Sequence, residues 1–136
     1  MSVGATLAQG AAVRLTFGLS ALLEPRKTSR LLGVPRHRIN RSGTYALRLF
    51  AARDVILGLA TAAAGNGNPM AQRRAIVANL AAEAADSAAL LSEARDRGGL
   101  RGELVAGALF NAFGYLTWLG AARGLRRSRR PSRAAA

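Results

Sequence analysis

Residues 104–122 read LVAGALFNAFGYLTWLGAA, which is nineteen consecutive residues without a formal charge. A helix needs about 20 mostly apolar residues to cross a hydrocarbon layer of ~30 Å. The stretch therefore predicts a membrane-spanning helix. Six arginines follow it directly and are expected at a lipid headgroup surface: Arg123, Arg126, Arg127, Arg129, Arg130 and Arg133.

Three further stretches of spanning length precede this one, and turn-forming residues separate all four. Pro25 follows the first stretch, Gly-Asn-Gly-Asn-Pro at 65–69 follows the second, and Gly98-Gly99 follows the third. Apolar residues nowhere alternate with period two, so no strand is predicted. The sequence predicts an all-α fold, a four-helix antiparallel transmembrane bundle with helices at about residues 3–24, 44–64, 71–94 and 101–125.

Charged residues interrupt the first three stretches. A central Arg or Asp costs about 2.5–3.5 kcal/mol on insertion scales, whereas each Leu, Ile, Phe or Val returns only about 0.3–0.6 kcal/mol. The second and third helices therefore need neighbouring helices that pair their charges. We predict an intramembrane polar network of seven residues: Arg14, Arg48, Arg53, Asp54, Asn79, Glu83 and Asp86. Five of them are expected at similar depth, namely Arg14, Arg53, Asp54, Glu83 and Asp86.

The spacing of these residues indicates which helix faces meet. Asn79, Glu83 and Asp86 follow i, i+4, i+7 spacing and form one polar stripe on the third helix. Asp54 shares its helix face with small residues that permit close approach, namely Ala51, Gly58 and Thr61. Arg48 lies about 9 Å nearer the first loop, at ~1.5 Å per residue, and can extend outward from the membrane.

The fourth helix carries polar and aromatic residues of its own. Asn111 is predicted to make a hydrogen bond to a neighbouring helix, and such bonds contribute about 0.6–2 kcal/mol in membranes. Trp118 and Tyr45 stand near helix ends, where aromatic side chains commonly anchor proteins at the membrane interface.

The loop charges do not fix the number of spans. Four spans place nine cations on one side and eight on the other, so the positive-inside rule gives no orientation. Three spans, with an amphipathic third helix outside the bilayer, place twelve on one side and five on the other. The three-span topology stays open as an alternative.

The composition limits the partners that this chain can have. The net charge is +13, with nineteen Arg and one Lys, and anionic lipid headgroups are the expected counterpart. Nucleic acid is not expected, since the basic segments lack interleaved aromatic residues. No cysteine is present, and neither a metal nor a cofactor motif is found. We predict one membrane domain at 1–125, a basic disordered tail at 126–136, and an N-terminus without a cleaved signal.

Two segments resemble a known family. They are Arg-Leu-Leu-Gly-Val-Pro at 30–35 and Tyr-Ala-Leu-Arg-Leu-Phe-Ala-Ala-Arg-Asp-Val-Ile-Leu-Gly-Leu-Ala at 45–60, together with the acidic Asp86 and the basic end. The chain resembles small bacterial four-helix membrane proteins of unassigned function, with a layout like that of DoxX-like proteins. The resemblance implies a four-helix integral membrane fold in a bacterial cytoplasmic membrane, and no reaction.

The sequence does not reveal a specific biochemical function. It predicts a non-enzymatic accessory or interaction subunit, either as a homo-oligomer or within a larger membrane complex. A small-solute or proton-coupled transporter that uses the intramembrane Arg, Asp and Glu residues is the first alternative. A soluble, basic, helical nucleic-acid-binding protein is the second.

Overall fold

The computed structural model describes residues 2–99 and 102–128, and all regular structure in them is helical. Five α-helices follow one another: α1 (Val3–Leu23), α2 (Pro25–Leu31), α3 (Arg41–Gly65), α4 (Pro69–Asp96) and α5 (Glu103–Ser128). A 3-10 turn lies at Arg36–Arg38. The predicted all-α class is confirmed for these residues.

The short helix α2 is the element that the sequence analysis missed. Pro25 predicts the end of the first helix, and α1 does end at Leu23, but Pro25 then begins α2. Proline suits the first helical position, because the N–H that it lacks has no partner there in any helix. The other new feature is at the C-terminus. Arg126, Arg127 and Ser128 continue α5 instead of starting a disordered tail, and residues 129–136 lie outside the described part.

Asparagine side chains set the starts of α3 and α4. Asn40 Oδ1 accepts a hydrogen bond from the Gly43 amide at 2.8 Å, and Asn68 Oδ1 accepts bonds from the amides of Met70 and Ala71. These bonds satisfy amides that have no partner in the first turn of a helix. They explain why α3 and α4 begin a few residues earlier than predicted.

The four long helices are arranged so that each packs against two others. α1 packs most extensively against α3, and α4 packs against α5. Contacts between α1 and α5 and between α3 and α4 close the arrangement. Side chains from all four helices can therefore meet in its centre.

Small residues at seven-residue intervals bring α1 and α3 together. A methyl group added to Gly18 would lie 2.8 Å from the Ala51 carbonyl oxygen, and one added to Gly58 would lie 3.3 Å from that of Ala11. One added to Gly4 would lie 3.2 Å from the carbonyl oxygen of Gly65. Along this contact, residue numbers increase on α1 while they decrease on α3, so the two helices run in opposite directions. A seven-residue repeat of contacts is typical of helices that cross at about 20°.

Polar and apolar side chains are distributed in an unusual way. Arg14, Asp54 and Glu83 are only 5%, 3% and 5% exposed, whereas Leu116 and Ile56 are 72% and 66% exposed. A smaller apolar core at one end of the arrangement contains Leu7, Ile76, Trp118, Ala121 and Leu125. Charge is thus found inside, while large apolar side chains lie on the outside.

Three helices are long and apolar enough to cross a membrane: Val3–Leu23, Pro69–Asp96 and Glu103–Ser128. This finding differs from the three-span alternative in one respect. That alternative left out the third predicted stretch, which is α4, whereas the helix outside this set is α3. The charges of Arg48, Arg53 and Asp54 lower the apolar character of α3.

Candidate functional site

Five charged side chains from three helices form one cluster, which we call the ionic network and of which Arg53 and Asp86 are only half-buried: Arg14, Arg53, Asp54, Glu83 and Asp86. Arg14 stands at its centre. Its Nη1 donates to Asp54 Oδ1 at 2.5 Å, and its Nη2 donates to Glu83 Oε1 at 2.6 Å. A single guanidinium on α1 therefore joins α3 to α4. Its Cζ also lies over the Trp118 ring, 5.7 Å from the ring centre, which is a favourable position for a cation.

Arg53 makes the second half of the ionic network. Its two terminal nitrogens donate to both carboxylate oxygens of Asp86, at 2.5 and 2.8 Å, and one of them also reaches Asp54 at 3.2 Å. Two parallel bonds of this kind fix geometry as well as charge. The Arg53 guanidinium also lies 5.2 Å from the ring centre of Phe50. Asp54 thus accepts from both arginines and connects the two halves.

Neutral donors from α5 complete the surroundings of Glu83. Trp118 Nε1 donates to Glu83 Oε1, and Asn111 Nδ2 donates to both the backbone oxygen and Oε2 of Glu83. Asn111 Oδ1 in turn accepts from the Ser87 hydroxyl. All four long helices therefore contribute hydrogen bonds to one site, as predicted for Asn111.

The structure brings together five of the seven residues predicted for the polar network. Asn79 is fully buried, but it donates to the Thr61 hydroxyl and to the Ala75 carbonyl rather than to a charged group. Arg48 is exposed and belongs to a different, basic surface. Its position agrees with the expectation that it extends outward, and it does not join the ionic network.

The sequence analysis missed two participants. Trp118 was assigned to the membrane interface, yet it is 2% exposed and bonded to Glu83. The signal was its position on the same face of α5 as Asn111, seven residues earlier. Ser87 adjoins Asp86 in the chain and was overlooked because an isolated serine carries little information.

A cavity of about 410 Å³ opens beside the ionic network, and we call it the side cavity. Phe50 and Phe110 belong to its apolar walls, and its charged and amide lining residues are Arg53, Asp54, Glu83, Asp86, Glu93 and Asn111. Arg53 and Asp86 keep 32% and 25% of their side chains exposed. They are the most exposed members of the ionic network.

A second group of ion pairs lies where α4 gives way to α5. Arg97 donates to Glu93 and to Glu103, and Arg38 of the 3-10 turn also donates to Glu103, at 3.2 Å. The hydrogen bonds that Arg97 donates to Glu103 and, to a lesser extent, to Glu93 raise the pKa of its guanidinium. These pairs lie near the surface. Through Arg38 and Glu103 they connect the first loop to the start of α5.

Within the described residues, no group of three or more His, Cys, Asp and Glu side chains is arranged to hold a metal ion. In comparisons with known proteins, no family model, curated protein or solved structure matches this chain. The resemblance to DoxX-like proteins therefore stays a prediction. The candidate site is defined by its own geometry.

Proposed function

We propose that this chain is a multi-pass integral protein of a bacterial cytoplasmic membrane, where it acts without catalysis as an accessory or interaction subunit. Its four long helices α1, α3, α4 and α5 would cross the bilayer as an antiparallel bundle. The resemblance to small four-helix membrane proteins agrees with this proposal.

The observation that carries the proposal is the inverted distribution of side chains. In water, large exposed apolar side chains on every long helix would be unfavourable, and contiguous apolar patches mark contact with lipid or another protein. Leu19, Ile56, Val77 and Leu116 represent the four helices on this outer surface. Inside, each buried carboxylate meets a guanidinium, which is how membrane proteins accommodate ionisable groups.

The same argument supports a membrane position for α3. Its composition is unfavourable only if Arg53 and Asp54 face lipid, and both side chains instead bond to partners on α1 and α4. Its lipid-facing residues would then be apolar, with Leu49, Ile56 and Leu59 all more than half exposed. α3 would be stable in the bilayer only as part of the bundle.

The ionic network favours a structural role over a chemical one. Arg14, Asp54 and Glu83 direct their hydrogen bonds at one another and are almost completely buried. No nucleophile with a neighbouring base is found among these groups. The apolar outer surface, by contrast, is available for lipid, for a second copy or for a partner subunit.

Extraction and co-purification test the proposal. The chain should remain in the membrane fraction after alkaline carbonate and high salt, and should leave it only with detergent. In mild detergent it should migrate as part of a defined complex larger than the 14.2 kDa chain. Release by carbonate would contradict the membrane assignment and favour the soluble nucleic-acid-binding alternative. A single detergent-bound monomer would contradict the subunit role.

A carrier of small solutes or protons is the second candidate, and the side cavity favours it. The cavity gives access to the Arg53–Asp86 pair, which is only partly buried. In sealed proteoliposomes with an internal pH dye, a carrier would dissipate an imposed proton gradient faster than empty liposomes. Asp86→Asn would abolish that flux, and Asp96→Asn at the exposed end of α4 would not. Equal leakage in all samples would contradict this candidate.

A further inference from the structure

A second concentration of positive charge lies away from the ionic network, in the part of the chain that the structure describes. A cavity of about 650 Å³ occupies the corner between the end of α1, helix α2 and the start of α3. We call it the basic cavity. Five cationic residues belong to its lining, namely Arg26, Lys27, Arg30, Arg41 and Arg48, against the single carboxylate of Glu24.

Most of these cations have no carboxylate partner. Glu24 binds Lys27 at 3.0 Å. Among residues 2–99 and 102–128, no carboxylate oxygen lies within 4.0 Å of a guanidinium nitrogen of Arg26, Arg30, Arg41 or Arg48. Four arginines that share one cavity repel one another, and an anion bound between them would relieve that repulsion. Guanidinium groups match the oxygens of a phosphate group with two parallel hydrogen bonds.

The other residues of this corner suit a lipid. Leu23, which belongs to the cavity lining, is 77% exposed. Tyr45 is 65% exposed and belongs to the cavity lining, which places an aromatic ring and a hydroxyl next to the arginines. At such a site the apolar side chains can contact the acyl chains of a lipid, while the arginines bind its charged headgroup.

We propose that the basic cavity binds the phosphate group of an anionic phospholipid. The inference rests on the membrane placement proposed above, but not on the accessory or carrier role. The binding of one lipid molecule there would connect α1, α2 and α3 at the membrane surface. It would also add to the contacts that α2 already makes with α1 and α3.

A binding assay in detergent tests this site directly. The purified chain is titrated with short-chain phosphatidylglycerol, with short-chain phosphatidylcholine and with inorganic phosphate, and thermal unfolding is followed by circular dichroism. A ligand that binds only the folded state raises the unfolding temperature. We expect a rise with phosphatidylglycerol alone. A similar rise with phosphatidylcholine would overturn the proposal, and a rise with inorganic phosphate at equal concentration would replace lipid by a soluble anion.

Matched double variants identify the site. Arg30→Gln with Arg48→Gln removes two cations from the basic cavity, and Arg73→Gln with Arg74→Gln removes two exposed cations from the start of α4. Each basic residue contributes about 1 kcal/mol to anionic lipid binding, so the first pair should weaken phosphatidylglycerol binding about thirtyfold. The second pair should leave it unchanged. Arg30→Lys with Arg48→Lys, which retains the charge, should recover most of the affinity.

Equal weakening by both glutamine pairs would show only general attraction to the +13 chain and would overturn the site. All exchanged residues are exposed, so folding is expected to be retained, and the unfolding curve without lipid verifies it. Carbonate extraction of the same variants keeps the two proposals apart. Loss of lipid binding with unchanged membrane retention would leave the proposed function intact.

Discussion

At the residue scale, Arg14 is the side chain on which the ionic network depends. It pairs with Asp54 and Glu83 at once and lies against Trp118. Counted as ionised, the two arginines and three carboxylates of the ionic network carry a formal charge of −1. Removing an arginine therefore increases the imbalance, whereas neutralising one carboxylate removes it.

This asymmetry yields a prediction for two variants. Arg14→Gln leaves Asp54 and Glu83 buried without their central partner, and we expect a loss of about 3–5 kcal/mol in the free energy of unfolding. Glu83→Gln should cost less, because its amide oxygen can still accept from Arg14 and Trp118. Thermal unfolding in mild detergent measures both changes.

The controls make the same chemical exchanges on exposed residues. Arg74→Gln and Asp96→Asn lie on the surface of α4 and should alter stability by about 0.5 kcal/mol or less. A larger loss for Glu83→Gln than for Arg14→Gln would contradict the charge argument. So would equal losses in all four variants.

Sequence spacing predicted the polar stripe of α4 but not its partners. Asn79, Glu83 and Asp86 do face the interior, because i, i+4, i+7 spacing follows from helix geometry alone. The cation that pairs with each of these side chains depends on the rotation and depth of α1 and α3. A local sequence pattern gives neither the rotation nor the depth of another helix. Asn79, one turn before Glu83 on α4, donates to the Thr61 hydroxyl instead.

At the scale of elements, the close contact of α1 with α3 holds the arginines in position. Gly18 faces the backbone of Ala51, and Gly58 faces Leu15 and the backbone of Ala11. Without these small residues the two helices could not approach, and Arg14 would lie farther from Asp54. The sequence predicted the inner face of α3 correctly, since Ala51, Asp54, Gly58 and Thr61 are all buried. It did not predict that this face meets α1.

Two glycine-to-alanine exchanges separate packing from helix propensity. In Gly18→Ala the new methyl group would meet backbone at 2.8 Å, and we expect a loss of about 1–3 kcal/mol from overpacking. In Gly120→Ala the methyl group points into open space, and the exchange should stabilise the helix by up to about 1 kcal/mol. Chemical or thermal unfolding in detergent compares the two. Equal stability would show that α1 and α3 do not pack as closely as described.

At the scale of the whole molecule, the side of the membrane on which each loop lies decides the number of spans. The chain has no cysteine, so single cysteines can be placed at His37, Asn66 and Arg95 and labelled with an impermeant maleimide in sealed vesicles. Four spans place His37 and Arg95 on one side and Asn66 on the other. If α4 lies outside the bilayer, Arg95 joins Asn66. If α3 lies outside, His37 joins Asn66.

We expect the four-span pattern, because the charges of α3 and α4 are paired inside the bundle. Labelling after detergent solubilisation serves as the control, since all three cysteines should then react. The amino-acid composition alone does not lead to this expectation. It weighs every charge as though it faced lipid, whereas the ionic network depends on which helices become neighbours after the chain has folded.

The pairing of Arg53 with Asp86 also has a consequence for how the protein is made. The two residues are 33 positions apart, so Arg53 leaves the ribosome before the carboxylate of Asp86 has emerged. Arg14 is already available for Asp54, but Arg53 must wait for α4. We therefore expect α3 to be retained at the insertion machinery until α4 arrives, with the two helices entering the lipid as one hairpin. Biogenesis of this small chain would then proceed in pairs of helices rather than one helix at a time.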